Sequence, residues 1–335
     1  MDRGDASSVT AKVPIALTVA GSDSGGGAGV QADLKTFAAI GVHGACAITA
    51  LTAQNTLGVR AVHYAPPEIV AAQITAVLDD FSVAAIKIGM LGTAEIAGAV
   101  AEALGEPPSP LGREGVVRTA TDERSAAQVA CSSFRTRPRP LTPNPSPIAR
   151  RRTGVLPNAL WGERRRPFLV YDPVMAASSG DPLSGDGFIE AVKREILPRV
   201  DCLTPNLPEA AILIGESIAR DEADMASQGR ALLKLGPRAV LMKGGHLASE
   251  EAVDLLVTPG RVHRFAARWL PSRNLHGTGC TLSSAIAAYV VLGTSLPEAV
   301  VAAKAFVRVA IEAGRDVALG DGAGPLVQGE FRGRR

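Results

Sequence analysis

Ile15-Ala16-Leu17-Thr18-Val19-Ala20 is followed by Gly21-Ser22-Asp23-Ser24-Gly25-Gly26-Gly27-Ala28-Gly29, then by Val30-Gln31-Ala32-Asp33. The first six residues form a short apolar run closed by Gly21, as in a parallel strand buried on both faces. The next stretch is a glycine-rich loop. Residues 30–40 have helical apolar spacing and stop at Gly41. The same alternation continues outward. Strands are expected at 45–51, 84–88, 168–171, 202–204 and 239–242, and a hairpin at 253–257 and 262–265 around Pro259-Gly260. Helices are expected at 67–81, 93–104, 188–196, from 208, near 224–235, at 278–292 and at 296–313. Strand and helix in turn imply an α/β fold with a mostly parallel central sheet and helices on both faces. Ligands in such sheets bind at the carboxyl ends of the strands, where each polar motif below falls.

Residues 105–167 break the pattern. They hold twelve Arg, no Lys, five acidic residues and ten of the 23 prolines. The net charge of +2 therefore belongs to this segment, and the rest of the chain is mildly acidic. That excludes a chain-wide basic field for nucleic acid. With no apolar period, 105–167 is expected to be a disordered or loosely attached insertion in a single domain spanning 14–328. No apolar run is long enough for a membrane span, and the first dozen residues lack the features of a signal peptide. Cys46, Cys131, Cys202 and Cys280 are widely spaced and form no C-x-x-C pair, which fits a reducing cytoplasm rather than a disulfide framework or zinc site.

Five constellations carry chemistry. His276-Gly277-Thr278-Gly279-Cys280-Thr281-Leu282-Ser283 opens an Ala-rich helix. Glycines at a helix mouth aim unpaired N–H groups outward, at the positive end of the helix dipole, and so form an anion site. A thiol there is expected to have a lowered pKa. The plain alternative is a glycine turn before a core cysteine. In the first loop, Asp33 can accept hydrogen bonds from a polar ligand or simply complement its helix dipole. Gln54, in Thr52-Ala53-Gln54-Asn55-Thr56, offers donor and acceptor to a nitrogen heterocycle, or is a loop amide. Asn206 and Glu209, in Asn206-Leu207-Pro208-Glu209, can hold a hydrated Mg²⁺ or cap a helix. Lys243, in Met242-Lys243-Gly244-Gly245-His246, can reach phosphates or lie at an ordinary strand end.

Together these segments resemble the hydroxymethylpyrimidine/phosphomethylpyrimidine kinases of thiamine biosynthesis, within the ribokinase-like fold. The resemblance spans 14–104 and 168–328. It also includes Lys87-Ile88-Gly89-Met90-Leu91, Asp172-Pro173-Val174-Met175 and Gly320-Asp321-Gly322-Ala323-Gly324-Pro325. It implies an ATP- and Mg²⁺-dependent kinase acting on a small aminopyrimidine. Asp33 and Gln54, with Gly21 and Met90, are then expected to bind the substrate. Asn206 and Glu209 serve Mg²⁺–ATP, with Asp172 as a further metal ligand, and Lys243 contacts phosphates. The N–H groups of Gly277, Thr278, Gly279 and Cys280 are expected to hold the transferring phosphoryl group, and Cys280 to take or orient the hydroxyl proton. A homodimer is expected. The chain departs from the family pattern at 105–167 and at Ser178, where the family commonly has Lys or Thr.

Three alternatives stand beside this reading. One is a pyridoxal-type vitamin kinase, whose substrate is also a small aromatic nitrogen ring. Another is a non-catalytic vitamin-binding relative. The third, a nicotinamide oxidoreductase, lacks the ribose-binding acid of its fingerprint.

Overall fold

Nine strands and eight helices follow in the order β1 (Ile15–Asp23), α1 (Gly29–Ile40), β2 (His43–Asn55), β3 (Gly58–Tyr64), α2 (Pro67–Asp80), β4 (Ala85–Ile88), α3 (Ala94–Ala103), β5 (Phe168–Tyr171), α4 (Phe188–Ala191), β6 (Cys202–Leu203), α5 (Leu207–Ile214), α6 (Glu222–Leu233), β7 (Val240–Lys243), β8 (Glu251–Thr258), β9 (Arg261–Arg268), α7 (Thr278–Val291) and α8 (Leu296–Gly314). This computed structural model describes residues 13–107, 166–176, 185–245 and 251–329. Most of the 105–167 stretch, together with Cys131, Ser178 and His246, lies outside the described residues.

The strands form one sheet in the order β3-β2-β1-β4-β5-β6-β7-β8-β9. Strands β2 to β7 of that order run parallel, and β3, β8 and β9 add antiparallel edges. From β1 the chain steps to β2 on one side, then returns to β4 on the other. A crevice opens at such a reversal, beyond the carboxyl ends of the strands.

Alternation along the central strands feeds two apolar layers. Leu17, Val19, Ile86, Ile88, Leu169 and Tyr171 pack with α2 to α6. Ala16, Ala85, Phe168, Val170 and Leu241 pack with α1, α7 and α8. Helix α7 is buried along most of its length, from Thr281 to Ala288 and again at Val290 and Val291. Among the described residues, no helix is long and apolar enough to cross a membrane.

Three local expectations need correction. Gly21 does not end β1, which runs on to Asp23 with an irregularity between Ala20 and Ser22. The Thr52–Asn55 motif is not a loop, because β2 extends to Asn55 and pairs with β3, a strand the apolar pattern did not announce. No β3 residue is fully buried, so the strand lacks a clear apolar period. The helix expected at 188–196 is only one α-helical turn, continued by a π turn at Val192–Ile196 and a 3₁₀ turn at Leu197–Arg199.

Candidate active site

A cavity of about 730 Å³ lies beyond the carboxyl ends of the central strands. Gly21, Gln54, Met90 and His276 line it on the β2–β1–β4 side. Asn206, Glu209, Ile212, Lys243 and Trp269 line it toward β6, β7 and β9. The start of α7 lies between these groups.

Gly277 caps α7 with φ of 84°, in the left-handed region that glycine tolerates. A Cβ at this position would collide with the Gly27 carbonyl oxygen. The loops before α1 and α7 are therefore pressed together, backbone to backbone. The first turn of α7 has no side-chain cap and no acidic residue; the Thr278 N–H turns back to the Leu275 carbonyl at 3.2 Å, and the N–H groups of Gly279 and Cys280 stand at the positive end of the helix dipole beside the cavity. These are the groups from which the sequence leads one to expect an anion site.

Cys280 lies in that turn and lines the cavity. Its thiol is not lowered as expected but pushed up to about 11. Loss of water dominates. The Lys87 ammonium opposes it, the carboxylates of Asp33 and Asp172 add to it, and an N–H donated by Gly29 pulls the other way. The helix dipole is outweighed here: Cys280 is half-buried at the cavity wall, and its sulfur loses water and lies in the field of two carboxylates. The group at neutral pH is a thiol, able to orient a hydroxyl but not poised to remove its proton.

Asp172, just past β5, hydrogen-bonds Lys243 Nζ through Oδ1 at 2.6 Å. Thr204 and Ser283 add longer contacts at 3.4 and 3.5 Å. A Cβ on Gly279 would lie 3.3 Å from Lys243 Nζ and 3.4 Å from Asp172 Oδ2, so the pair abuts the mouth of α7. Lys243 takes Oδ1, while Oδ2 has, among the described residues, only the long Ser283 contact and the residue lines the cavity, so the expected part of Asp172 as a metal ligand stays a proposal.

Asn206 and Glu209 form a reciprocal capping box on α5. Asn206 Oδ1 accepts the Glu209 N–H at 2.8 Å, and Glu209 Oε2 accepts the Asn206 N–H at 2.7 Å. The cap and the cavity wall are thus the same two residues. Glu209 Oε2 is 3.9 Å from Lys243 Nζ. Burial pushes the Glu209 carboxyl up to about 7, Lys243 lowers it, and nearby Asp172 raises it further. Two carboxylates share one ammonium here, an excess of negative charge that suits a cation. Among the described residues no group of three His, Cys, Asp or Glu side chains could hold a metal. A site with so few carboxylates suits only an ion that keeps most of its waters, as Mg²⁺ does.

On the other side, Asp23 Oδ2 accepts the N–H groups of Gly27 and Ala28 at 2.9 and 2.8 Å, and Oδ1 accepts that of Gly25 at 2.8 Å. His276 Nε2 is 3.0 Å from Asp23 Oδ2 and 3.3 Å from Gln54 Nε2. Thr52 donates to Gln54 Oε1 at 3.2 Å. A Cβ on Gly21 would sit 3.1 Å from Met90 Sδ. Gln54, Gly21 and Met90 thus come together. Asp33 does not join them. It is fully buried, is absent from the cavity lining, and accepts from Thr18, Lys87 and Ser284. The expectation that Asp33 binds substrate directly is corrected, because its oxygens are occupied inside the core.

A family model described as phosphomethylpyrimidine kinase matches residues 23–144 and 154–327. The chain belongs to the phosphomethylpyrimidine kinase family. It is accordingly a kinase, an enzyme that transfers a phosphoryl group. The chain is 43% identical over 312 residues to a hydroxymethylpyrimidine/phosphomethylpyrimidine kinase of Rhizobium meliloti, covering 93% of this chain and 96% of the relative. A crystal structure of phosphomethylpyrimidine kinase from Clostridium difficile superposes with a TM-score of 0.63 at 35% identity, over 90% of this chain and all of that one. A pyridoxal kinase from Staphylococcus aureus, solved with AMP-PCP and pyridoxal, superposes with a TM-score of 0.70 at 28% identity, over 95% and 94% of the two chains. The nine-stranded sheet is the ribokinase-like α/β architecture of these kinases.

Within this family frame, sequence reasoning passed over several residues. Lys87, Asp23 and His276 had no assigned role, and Trp269 and Ile212 were not considered. Lys87 did carry a signal: a charged residue between apolar neighbours in a strand buried on both faces. The partnership of Asp23 with His276 had none, since it is purely tertiary.

Proposed function

We propose that the chain uses ATP and Mg²⁺ to phosphorylate 4-amino-5-hydroxymethyl-2-methylpyrimidine, and then its monophosphate, for thiamine biosynthesis. The observation that carries this reading is one cavity with the uncapped mouth of α7 between two unlike groups of residues. Gln54, Met90 and Gly21 suit a flat, polar-edged ring. Asn206, Glu209, Lys243 and Trp269 suit a nucleotide with its phosphates. The Rhizobium meliloti relative is a hydroxymethylpyrimidine/phosphomethylpyrimidine kinase, and the Staphylococcus aureus neighbour was solved with AMP-PCP.

The substrate hydroxyl oxygen attacks the γ-phosphorus, and the bond from that phosphorus to the β-γ bridging oxygen of ATP breaks. Such transfers pass through a loose transition state, so alignment and charge stabilisation supply most of the rate. N–H groups from Gly277 to Cys280 hold the phosphoryl oxygens, and Lys243 adds positive charge. Cys280 orients the attacking hydroxyl. Its proton leaves late, once the new P–O bond has made it acidic, and passes to a phosphoryl oxygen. Glu209, through water, and Asn206 would hold Mg²⁺, which supplies charge neutralisation on the phosphates when bound.

ADP release measured over the pyrimidine, its monophosphate, pyridoxal and a sugar tests the assignment. The expected order places the pyrimidine and its monophosphate first. Faster turnover with pyridoxal or a sugar overturns it.

A further inference from the structure

Lys87 lies on β4, on the same face as Ala85, beneath the α1–α7 layer. A lysine with no exposed side-chain surface needs a fixed counter-charge. Asp33 of α1 provides it, with Oδ2 at 2.8 Å from Lys87 Nζ. Asp33 is itself held by Thr18 Oγ1 of β1 at 2.6 Å and by Ser284 Oγ of α7 at 2.6 Å. One carboxylate thus ties two strands and two helices. Ser284 is four residues beyond Cys280, on the same face of α7, so this tie lies behind the thiol. The charged groups acting on Cys280 are Lys87 from β4, Asp33 from α1, Asp172 from the end of β5 and Lys243 from β7.

We propose that Lys87, clamped by Asp33, is a positioning residue for Cys280: a fixed cation behind the first turn of α7 whose field polarises the S–H bond and so strengthens the thiol's hold on the hydroxyl it orients. The inference rests on the role given to Cys280 above and adds what supports it. Burial pushes Cys280 up, and Lys87 is the strongest influence in the other direction. Burial also works against the Lys87 charge, but Asp33, Cys280 and Asp172 together keep its proton held above the ordinary lysine range. The cation therefore persists at every working pH.

The test needs no substrate, so it fails separately from the substrate assignment. Iodoacetamide labelling of the full-length protein is followed across pH by mass spectrometry of the Cys280 peptide, which excludes the other cysteines. In Lys87→Met the labelling curve is expected to move to higher pH by about one unit or more, with its limiting rate unchanged. That is roughly a tenfold slower reaction at a fixed pH below the midpoint. Lys87→Met leaves Asp33 as a buried, unpaired charge and threatens the fold. The double variant Asp33→Asn with Lys87→Met removes both charges and keeps a hydrogen-bonding side chain beside Thr18 and Ser284. A smaller shift in the same direction is expected there. A folded variant whose curve stays in place, moves to lower pH, or changes only its limiting rate overturns the proposal.

Discussion

His276 and Asp23 are 253 positions apart in the chain, and their side chains meet at 3.0 Å. The contact locks the loop after β1 to the approach of α7, the two segments that frame the transferring group. Although burial alone raises its pKa, the His276 contact and the Gly25 and Ala28 N–H groups hold the Asp23 carboxyl below its usual range. A depressed carboxyl stabilises the fold above its unfolded pKa, and that contribution is lost as pH falls through the folded value. Asp23→Asn is therefore expected to cost about 1–3 kcal/mol at neutral pH. In urea unfolding, its deficit should shrink below the ordinary aspartate value of 3.8. A deficit that stays constant down to the acid limit counts against this origin.

Gln54 lines the ring side of the cavity, and its amide is set between Thr52 and His276. Gln54→Ala should remove a polar partner worth about 1–3 kcal/mol from the pyrimidine. Its KM for the pyrimidine should then rise far more than its KM for ATP. Equal changes in both constants speak against a ring-binding role.

Cys280→Ala should lower kcat by roughly a hundredfold through lost alignment of the hydroxyl, with nucleotide binding nearly intact, since the backbone N–H groups remain. Because the thiol sits near 11, the wild-type rate should show no rise with thiolate formation across the neutral range. Near wild-type turnover in the alanine variant reduces Cys280 to packing.

Glu209→Gln removes a carboxylate from the pair that shares Lys243. The Mg²⁺ concentration giving half-maximal rate should increase, by about ten- to a hundredfold if the metal is held there. The capping box survives in part, because glutamine can still accept the Asn206 N–H. An unchanged Mg²⁺ requirement places the ion elsewhere.

The two ends of the proline- and arginine-rich stretch lie side by side. Arg199 Nε donates to the Gly105 carbonyl at 3.0 Å, Arg166 grips Asp201 through both terminal nitrogens at 3.1 Å, and Glu106, Arg166 and Arg199 border one small cavity. This lies at the amino end of β5, away from the chemistry. Replacing residues 108–165 by a short Gly/Ser linker is expected to leave melting behaviour intact and kcat within a few-fold. An insoluble or inactive deletion shows that the stretch packs on the domain.

Much of this architecture is legible in the residue pattern. β5 occupies the four residues expected, and α1, α7 and α8 agree within a residue or two, because each is a dense apolar run closed by glycine or a cap. β3 is not legible because none of its side chains is fully buried. The polar site residues divide along a similar line. Gly277 and Glu209 announce themselves through local backbone chemistry. Asp33 is open to misreading because a carboxylate early in a helix looks the same whether it faces a ligand or a buried lysine. Only the pairing of β1 with β4, which sets Thr18 beside Lys87, separates the two.

Helix α7 has almost no solvent face beyond its opening turn. A rod enclosed on all sides cannot slide or tilt without disturbing both apolar layers. Warming or core-loosening substitutions far from the cavity, at Ala285 or Ile286 for instance, displace the same N–H groups that grip phosphate. Activity in this enzyme should thus act as a gauge of core order, declining before the chain unfolds. Adaptation to a new working temperature would have to retune packing and turnover together.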